Sequence, residues 1–404
     1  MKKKKEWIYT IANISFYMAV IIEVLIVLVD KSNYTNPIEG RLFQFTFVLC
    51  FMKVCLTRYT FREYGTIFLF GIVGVLSYLF TGRNEFLRII MLIAACKDID
   101  MRRCLKVIFW VTFVGCMGII LLSVTGVYGN ISLTTDFGRG GIETRYTLGL
   151  GHPNALHCMV WALTVLGLYL YGDGMKWYHC LGIFFINVGV FFLSFSRTGL
   201  LISILTVILF FLASKERPEI INKMSAWIGG LAVAGSIFIS IAFAANAYRV
   251  YNYDWHYYEG EPDKVTMLFV RLNNALNGRI RILTETDGWE GSINSWSLFS
   301  RPDADHYFDL GWVRLFYWYG IIPACICIIV LFAVVIYCYQ EKEYLSIVLI
   351  VAFSVYTIIE AHAVSDYLAR NYVVFLIGAY WSPMLAGKKG IKGSNIESGR
   401  KQKN

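Results

Sequence analysis

The chain is built from apolar runs, many of about 18 to 25 residues, and that is the length a helix needs to cross a hydrocarbon core roughly 30 Å thick. In water such runs would find too little polar surface to cover them. Only 16% of the 404 residues are charged and 57% are hydrophobic, with a mean hydropathy of +0.55. A soluble domain carries about a quarter charged residues, so the solvent that fits this composition is the bilayer. Taken in order, the runs fall near 7–29, 42–57, 65–81, 86–98, 105–127, 154–172, 177–194, 198–214, 224–246, 312–338, 344–361 and 371–387. They predict an all-α polytopic membrane protein of about twelve transmembrane helices in one integral domain, 1–404, with the fourth run short enough for a half-span.

The net charge of +9 would suggest nucleic acid in a soluble domain. Here its placement matters more, because much of it sits at Lys2–Lys5, Arg102–Arg103 and the tail Lys388–Lys403. Basic segments of this kind mark the cytoplasmic side, and an even number of spans puts both termini there. The loops 58–63, 97–106, 173–176, 215–223 and 340–343 then fall inside, and 30–40, 82–84, 126–153, 194–197, 247–311 and 360–370 outside. The lysines followed by an apolar run could pass for a signal peptide, but no small-residue cleavage site follows Val29, so a retained first helix is expected. The ten cysteines lie in or beside apolar runs, where they act as small hydrophobes, and neither disulfides nor zinc are expected.

Two outer loops, 126–153 and 247–311, are much longer than the rest and are where function is expected. The longer one carries Tyr248, Tyr251, Tyr253, Trp255, Tyr257, Tyr258, Trp289 and Trp296, aromatic faces that suit sugar rings or a membrane interface. Val265, Leu268, Phe269, Leu272 and Leu276 recur at helical spacing and predict a short helix on the membrane surface, ending where Gly278 lets the chain turn.

The chemistry-bearing residues gather on that side. Arg145, Arg197 and Arg279 lie near the lipid boundary, where arginine is costly unless it meets an anion and where its planar fork holds phosphate oxygens. Arg197 stands in Ser194-Phe195-Ser196-Arg197-Thr198-Gly199, a polar break between two apolar runs. Arg139, Arg281 and Arg314 have weaker claims. Gly149-Leu150-Gly151-His152-Pro153-Asn154 opens a helix whose free N–H groups could receive an anionic or hydroxyl-rich ligand, with His152 and Asn154 beside it. Asp303, Asp305, His306 and Asp309 cluster before the run at Trp312, and a carboxylate or imidazole there could accept a proton from an attacking hydroxyl; composition does not say which. Nothing is spaced for a divalent metal, and no cofactor is expected. Glu360 and His362 end the eleventh run as ionisable groups at the membrane edge. Glu23, inside the first run with no evident partner, reads as structural.

These segments together resemble the Wzy-type oligosaccharide repeat-unit polymerases of the O-antigen ligase and polymerase superfamily. The resemblance covers most of the chain in order: Gly151-His152-Pro153-Asn154, Ser196-Arg197-Thr198-Gly199, Leu276-Asn277-Gly278-Arg279, Asp309 ahead of Gly320, and Glu360 in the penultimate run. It implies a GT-C-like glycosyltransferase in the cytoplasmic membrane of a bacterium, acting on lipid-linked oligosaccharide donor and acceptor without a nucleotide sugar, beside a flippase and a chain-length regulator. Carried over, Arg197 and Arg279, with Arg145, would hold the pyrophosphate; His152, Asn154, Asp305 and Arg314 would contact substrate; and Asp309, His306 and Glu360 would be catalytic. One departure stands out. The family pattern has Asp-Asn or His-Asn before an aromatic, whereas Leu310-Gly311-Trp312 follows Asp309, and Asp305-His306-Tyr307 resembles the pattern four residues early. Asp309 is expected as the base, with His306 the alternative. The rival expectations are an O-antigen-type ligase, a flippase for lipid-linked sugars, and a membrane scaffold.

Overall fold

The computed structural model describes residues 2–137, 141–214, 217–254, 261–284 and 290–387, with residues 2–5 by backbone alone. Arg139, Trp255, Tyr257, Tyr258, Trp289 and the basic tail Lys388–Lys403 therefore lie outside the described residues. The helices are α1 Lys2–Asp30, α2 Glu39–Leu56, α3 Phe61–Thr81, α4 Glu85–Ala95, α5 Met101–Val124, α6 Pro153–Tyr171, α7 Trp177–Ser194, α8 Arg197–Leu212 and α9 Glu219–Asp254. They continue with α10 Lys264–Ala275, α11 Gly311–Tyr319, α12 Ile321–Gln340, α13 Tyr344–Tyr356 and α14 Tyr372–Ala386. Among the described residues, seven helices are long and apolar enough to cross a membrane, and α8, α13 and α14 are shorter apolar helices. The surface agrees with the reading from composition: Phe68, Leu79, Leu121, Leu201, Phe238 and Ile329 all face outward, an arrangement lipid accepts and water does not.

The architecture is all-α as expected, and the first long loop adds a short antiparallel hairpin, β1 Ser132–Asp136 with β2 Ile142–Tyr146. Three expectations need correction. The run 312–338 is two helices, because Gly320 breaks it at φ 95°; a Cβ there would lie 2.6 Å from Phe299 Cα. The run 344–361 stops being helical at Tyr356, and the chain continues irregularly to Asn371. The loop beginning at 247 is helical to Asp254, because α9 runs for 36 residues, about 54 Å, well beyond a roughly 30 Å core. By contrast α4, with 11 residues and about 16 Å, has the half-span length expected of it.

Two short helices, α11 and α13, are the innermost. Every residue of α11 is buried, as are nearly all of α13, which packs against α6, α8, α9, α12 and α14. Local signals set the ends: Thr60 and Glu63 close a capping box on α3, Asp100 caps α5, Asp263 caps α10 and Asn371 caps α14.

Contacts between loops sort the molecule into two ends, independently of the charge rule. At one end the Glu63 carboxylate accepts from Lys97 (2.5 Å) and Ser382, and Lys342 pairs with Glu219 at 3.0 Å. At the other, Asn33 meets Asn130, Asn277 meets Phe137, Arg83 meets Ala304 and Arg279 meets Glu360. Every loop in this second set is one the basic-residue pattern places outside, and the two long loops, 126–153 and 247–311, meet there.

Glu23 has a partner that its own neighbourhood in sequence conceals. Arg88 Nη2 of α4 donates to its Oε1 at 2.9 Å and its Oε2 at 3.2 Å, and Thr46 of α2 donates at 2.5 Å. Arg88 also reaches the Asp366 carbonyl and lies over the Phe43 ring. The carboxylate thus ties three helices, which supports the structural reading of Glu23. Removing one partner of a buried pair strands the other charge. Glu23→Ala is expected to cost about 3 kcal/mol, read as a lowered thermal midpoint in detergent; an unchanged midpoint would contradict the tie.

Candidate functional site

The turn after α10 delivers Arg279. Asn273 is buried, and its Oδ1 accepts from the backbone N–H of Ile280 (3.1 Å) and Arg281 (2.9 Å), while its carbonyl accepts from Gly278 at 2.9 Å. Asn277 and Gly278 turn the chain through positive φ, as the Gly278 signal predicts, and Ile280 and Leu283 anchor the far side of the turn in the core. The inward face of α10 is not the expected apolar row. Thr266, Phe269, Val270 and Asn273 face in, and Val265 and Leu268 face out, because the polar pair is needed for the cap and the turn.

Arg279 Nη2 lies 2.8 Å from Glu360 Oε1 and 3.4 Å from Asp309 Oδ2. One guanidinium nitrogen therefore holds two carboxylates, one from the loop after α13 and one from the segment before α11. Glu360 is the more enclosed, with 17% of its side chain exposed against 38% for Asp309. Desolvation, with the charge of Asp309 added, pushes the Glu360 carboxyl up to about 7 against the opposing pull of Arg279 and Arg370.

Close packing places Asp309. The Gly311 N–H donates to the Thr357 carbonyl at 2.9 Å, and a Cβ on Gly311 would lie 3.0 Å from Ala361 Cα and 3.1 Å from the Glu360 carbonyl oxygen. Gly311 is thus what lets this segment come beside Glu360. Arg314 does not face the site: it is buried, its Nε and Nη2 donate to the Phe308 carbonyl, and it stacks on Tyr307 and Trp318. Arg83 holds the Ala304 carbonyl at 2.9 Å from the other side of Trp318. Asp305 is exposed, and His306 makes no ion pair or hydrogen bond with Arg279.

The turn at Gly149–Asn154 brings His152 alongside. Gly151 packs on the Ser32 carbonyl, and His152 caps α6 by accepting the Asn154 N–H at Nδ1 (3.1 Å), which puts the proton of the neutral ring on Nε2. Desolvation lowers the His152 pKa; the Asp309 charge opposes this and the Arg145 and Lys31 charges add to it, so the imidazole is within electrostatic reach of all three. Asn154 contributes its backbone N–H. The hairpin curls over this group: Arg145 is buried, bound to Glu143 through Nε (2.9 Å) and Nη2 (2.6 Å), and its guanidinium lies 3.9 Å above the Phe137 ring. Phe137 also stands edge-on to His152 and takes the Asn277 side-chain N–H on its carbonyl.

Arg197 opens α8 at the same end. Gly199 packs on His157, whose Nδ1 lies 3.3 Å from Ser194 Oγ, but the Arg197 side chain is exposed and makes no ion pair or hydrogen bond among the described residues. Three residues that sequence reasoning passed over belong with the group: Phe137, Lys31 and Arg370. Arg370 acts electrostatically on both Glu360 and Lys31. The only signal for them in the sequence is their place in predicted outer loops.

No protein-family profile, curated protein or solved structure matches this chain.

Gly311→Ala tests the placement of Asp309. The new methyl would meet the Thr357 Cγ2 methyl at 2.7 Å and, beside it, backbone atoms of Ala361 and Glu360 that cannot yield, so a loss of about 1–3 kcal/mol in stability is expected, with Arg279 becoming reactive toward a dicarbonyl reagent as the pair opens. Wild-type stability together with wild-type protection of Arg279 would sink the argument.

Proposed function

We propose that this chain is a membrane-embedded glycosyltransferase that polymerises undecaprenyl-pyrophosphate-linked oligosaccharide repeat units into a surface polysaccharide, in the manner of the Wzy-type polymerases it resembles. The observation that carries this reading is the Arg279 guanidinium set between Glu360 and Asp309, with His152 beside them, at one end of an apolar bundle. A sugar hydroxyl displacing a lipid pyrophosphate needs a cation where negative charge develops and a proton acceptor where the hydroxyl attacks. Both are present within one cluster.

In the proposed step the acceptor hydroxyl attacks the anomeric carbon of the glycan carried by the donor lipid. The new glycosidic C–O bond forms, the C–O bond to the pyrophosphate breaks, and the electron pair leaves with the lipid pyrophosphate. Asp309, the more open of the two carboxylates, takes the hydroxyl proton, and Arg279 meets the charge on the leaving group. Glu360 sets the balance between them. Protonated below about pH 7, it leaves Arg279 to Asp309; ionised above that, it engages Arg279 and frees Asp309 to accept a proton. His152 Nε2–H is placed as a donor to a phosphate or sugar oxygen, and exposed Arg197 as a cation at the approach to the site.

On this reading the chain has a GT-C-like architecture that crosses the cytoplasmic membrane of a bacterium about twelve times. Both termini are inside, so the Arg279 end faces out, where nucleotide sugars are absent and lipid-linked ones arrive from a flippase. A chain-length regulator is the expected neighbour.

Incubated with one purified lipid-linked repeat unit and no nucleotide sugar, the protein is expected to form a ladder of products. Arg279→Ala should slow it by a hundredfold or more. If no elongation occurs until a different acceptor is supplied, the chain is a ligase and the polymerase reading fails.

The rate is expected to rise as pH passes through about 7, because the productive state has Glu360 ionised. Glu360→Gln should remove that limb of the profile; a variant that keeps it would take Glu360 out of the mechanism.

A further inference from the structure

Arg279 and Arg145 are cations already occupied by carboxylates, Arg279 by two and Arg145 by Glu143. Arg370 is not. Its guanidinium reaches only Ser365 Oγ (3.4 Å) and His362 Nδ1 (3.3 Å), no carboxylate lies within ion-pair distance of it among the described residues, and its Nε is buried without a partner. Lys31 stands close by. It pairs with Asp30 at 2.6 Å, faces the Tyr367 ring, and has its pKa lowered first by burial and then by the Arg370 charge. Two cations that repel each other, one of them with no carboxylate at ion-pair distance among the described residues, make a place where an anion is favoured.

The adjoining wall of the bundle defines the anion. A half-open cavity of about 210 Å³ is lined by α3, α4 and α11 to α14, with walls such as Phe70, Ile90, Leu315, Val330 and Val374. At the Arg279 end it is bordered by Ser365, the residue that holds Arg370, and by Asn371; towards the other end it reaches Thr66 and Trp381. An apolar slot along the bundle with unpaired positive charge at its mouth matches a ligand with a long hydrocarbon tail and a compact, highly charged phosphate head.

We infer that Lys31 and Arg370 hold the pyrophosphate of a polyprenyl carrier whose first isoprene units lie in the slot between α3, α4 and α11–α14, the rest of the tail passing to lipid. The identification of the carrier rests on the proposed function; the charged mouth and the apolar slot do not. Arg370 is flanked by Glu360 on the same loop, which sets the carrier head beside the carboxylate pair and leaves Arg279 to the reacting bond.

The full-length protein in nanodiscs, titrated with undecaprenyl pyrophosphate and followed by quenching of Trp312 and Trp381 by a brominated analogue, tests this. Tight binding is expected for the pyrophosphate, weaker binding by tenfold or more for undecaprenol, and a loss of about tenfold for Arg370→Ala that Arg370→Lys partly restores. Ala363→Trp at the slot should weaken the lipid but leave binding of inorganic pyrophosphate unchanged. Arg370→Ala protein that elutes and melts like wild type and still binds the lipid equally well overturns the inference. So does equal, Arg370-dependent binding of phosphatidylglycerol vesicles, which would make the site one for bulk phospholipid. If Arg370-dependent binding holds but no ladder forms, the inference stands and the polymerase reading falls. A ladder with Arg370-independent binding gives the reverse.

Discussion

One guanidinium joins three stretches of chain that are otherwise far apart: the turn after α10, the segment before α11 and the loop after α13. Without it, Asp309 and Glu360 would face each other as two like charges in a poorly solvated place. Much of the surrounding structure maintains that junction. Asn273 fixes the turn that carries Arg279, Gly311 permits the approach of the second segment, and Arg314 and Arg83 pin the carbonyls of Phe308 and Ala304 that lead into it. Arg314 looks like a ligand-binding cation in the sequence, yet its work, like that of Arg83, is to hold backbone carbonyls where the chain is packed.

The same pattern appears away from the site. Buried charge occurs where helices need to be held at a fixed distance, as with Glu23, Arg88 and Thr46 joining α1, α4 and α2, or Glu63, Lys97 and Ser382 at the opposite end. The central helices α11 and α13 carry almost none. Apolar packing then fills the middle of the bundle, and the polar ties near its ends set the register against which the loops fold.

Run length and charge placement made most helices and the grouping of the loops legible, because lipid forces backbone hydrogen bonds inside each helix and so ties apolar length to helix length. What they missed is backbone behaviour inside apolar sequence. Gly320 lies inside what reads as one continuous apolar run, so the break there is invisible until Phe299 is seen to pack against it. The end of α13 is hidden in the same way by Thr357, Ile358 and Ile359. The hairpin was hidden because Ser132–Tyr146 reads as polar loop, and α10 turned its polar residues inward because the N-cap and the turn needed Thr266 and Asn273 more than the interior needed Val265. Arg279, Asp309 and Glu360 were legible as candidates, but their sharing of a single nitrogen, across 81 residues between Arg279 and Glu360, was not.

A cation's readiness for a substrate anion depends on what it already holds, which a motif cannot report. Arg279 holds two carboxylates through a single nitrogen, so a phosphate that meets the guanidinium competes with both for its charge, and a carboxylate it sets free is a group able to take a proton. On the proposed chemistry, arrival of the leaving group's charge and release of the base are then one event. Arg197, singled out by its Ser-Arg-Thr-Gly setting, is exposed and makes no ion pair or hydrogen bond among the described residues, which suits a first encounter better than a tight grip. Arg370 differs from both: half-buried, without a carboxylate within ion-pair distance among the described residues, and set where an apolar slot begins. Desolvation strengthens what an anion gains there, because a cation shielded from water gives up little hydration when it binds. On the proposed chemistry, the three arginines differ in what each has left to offer a charged lipid head: exposed Arg197 a first contact, Arg370 at the slot a grip, and Arg279 among its carboxylates the charge at the reacting bond.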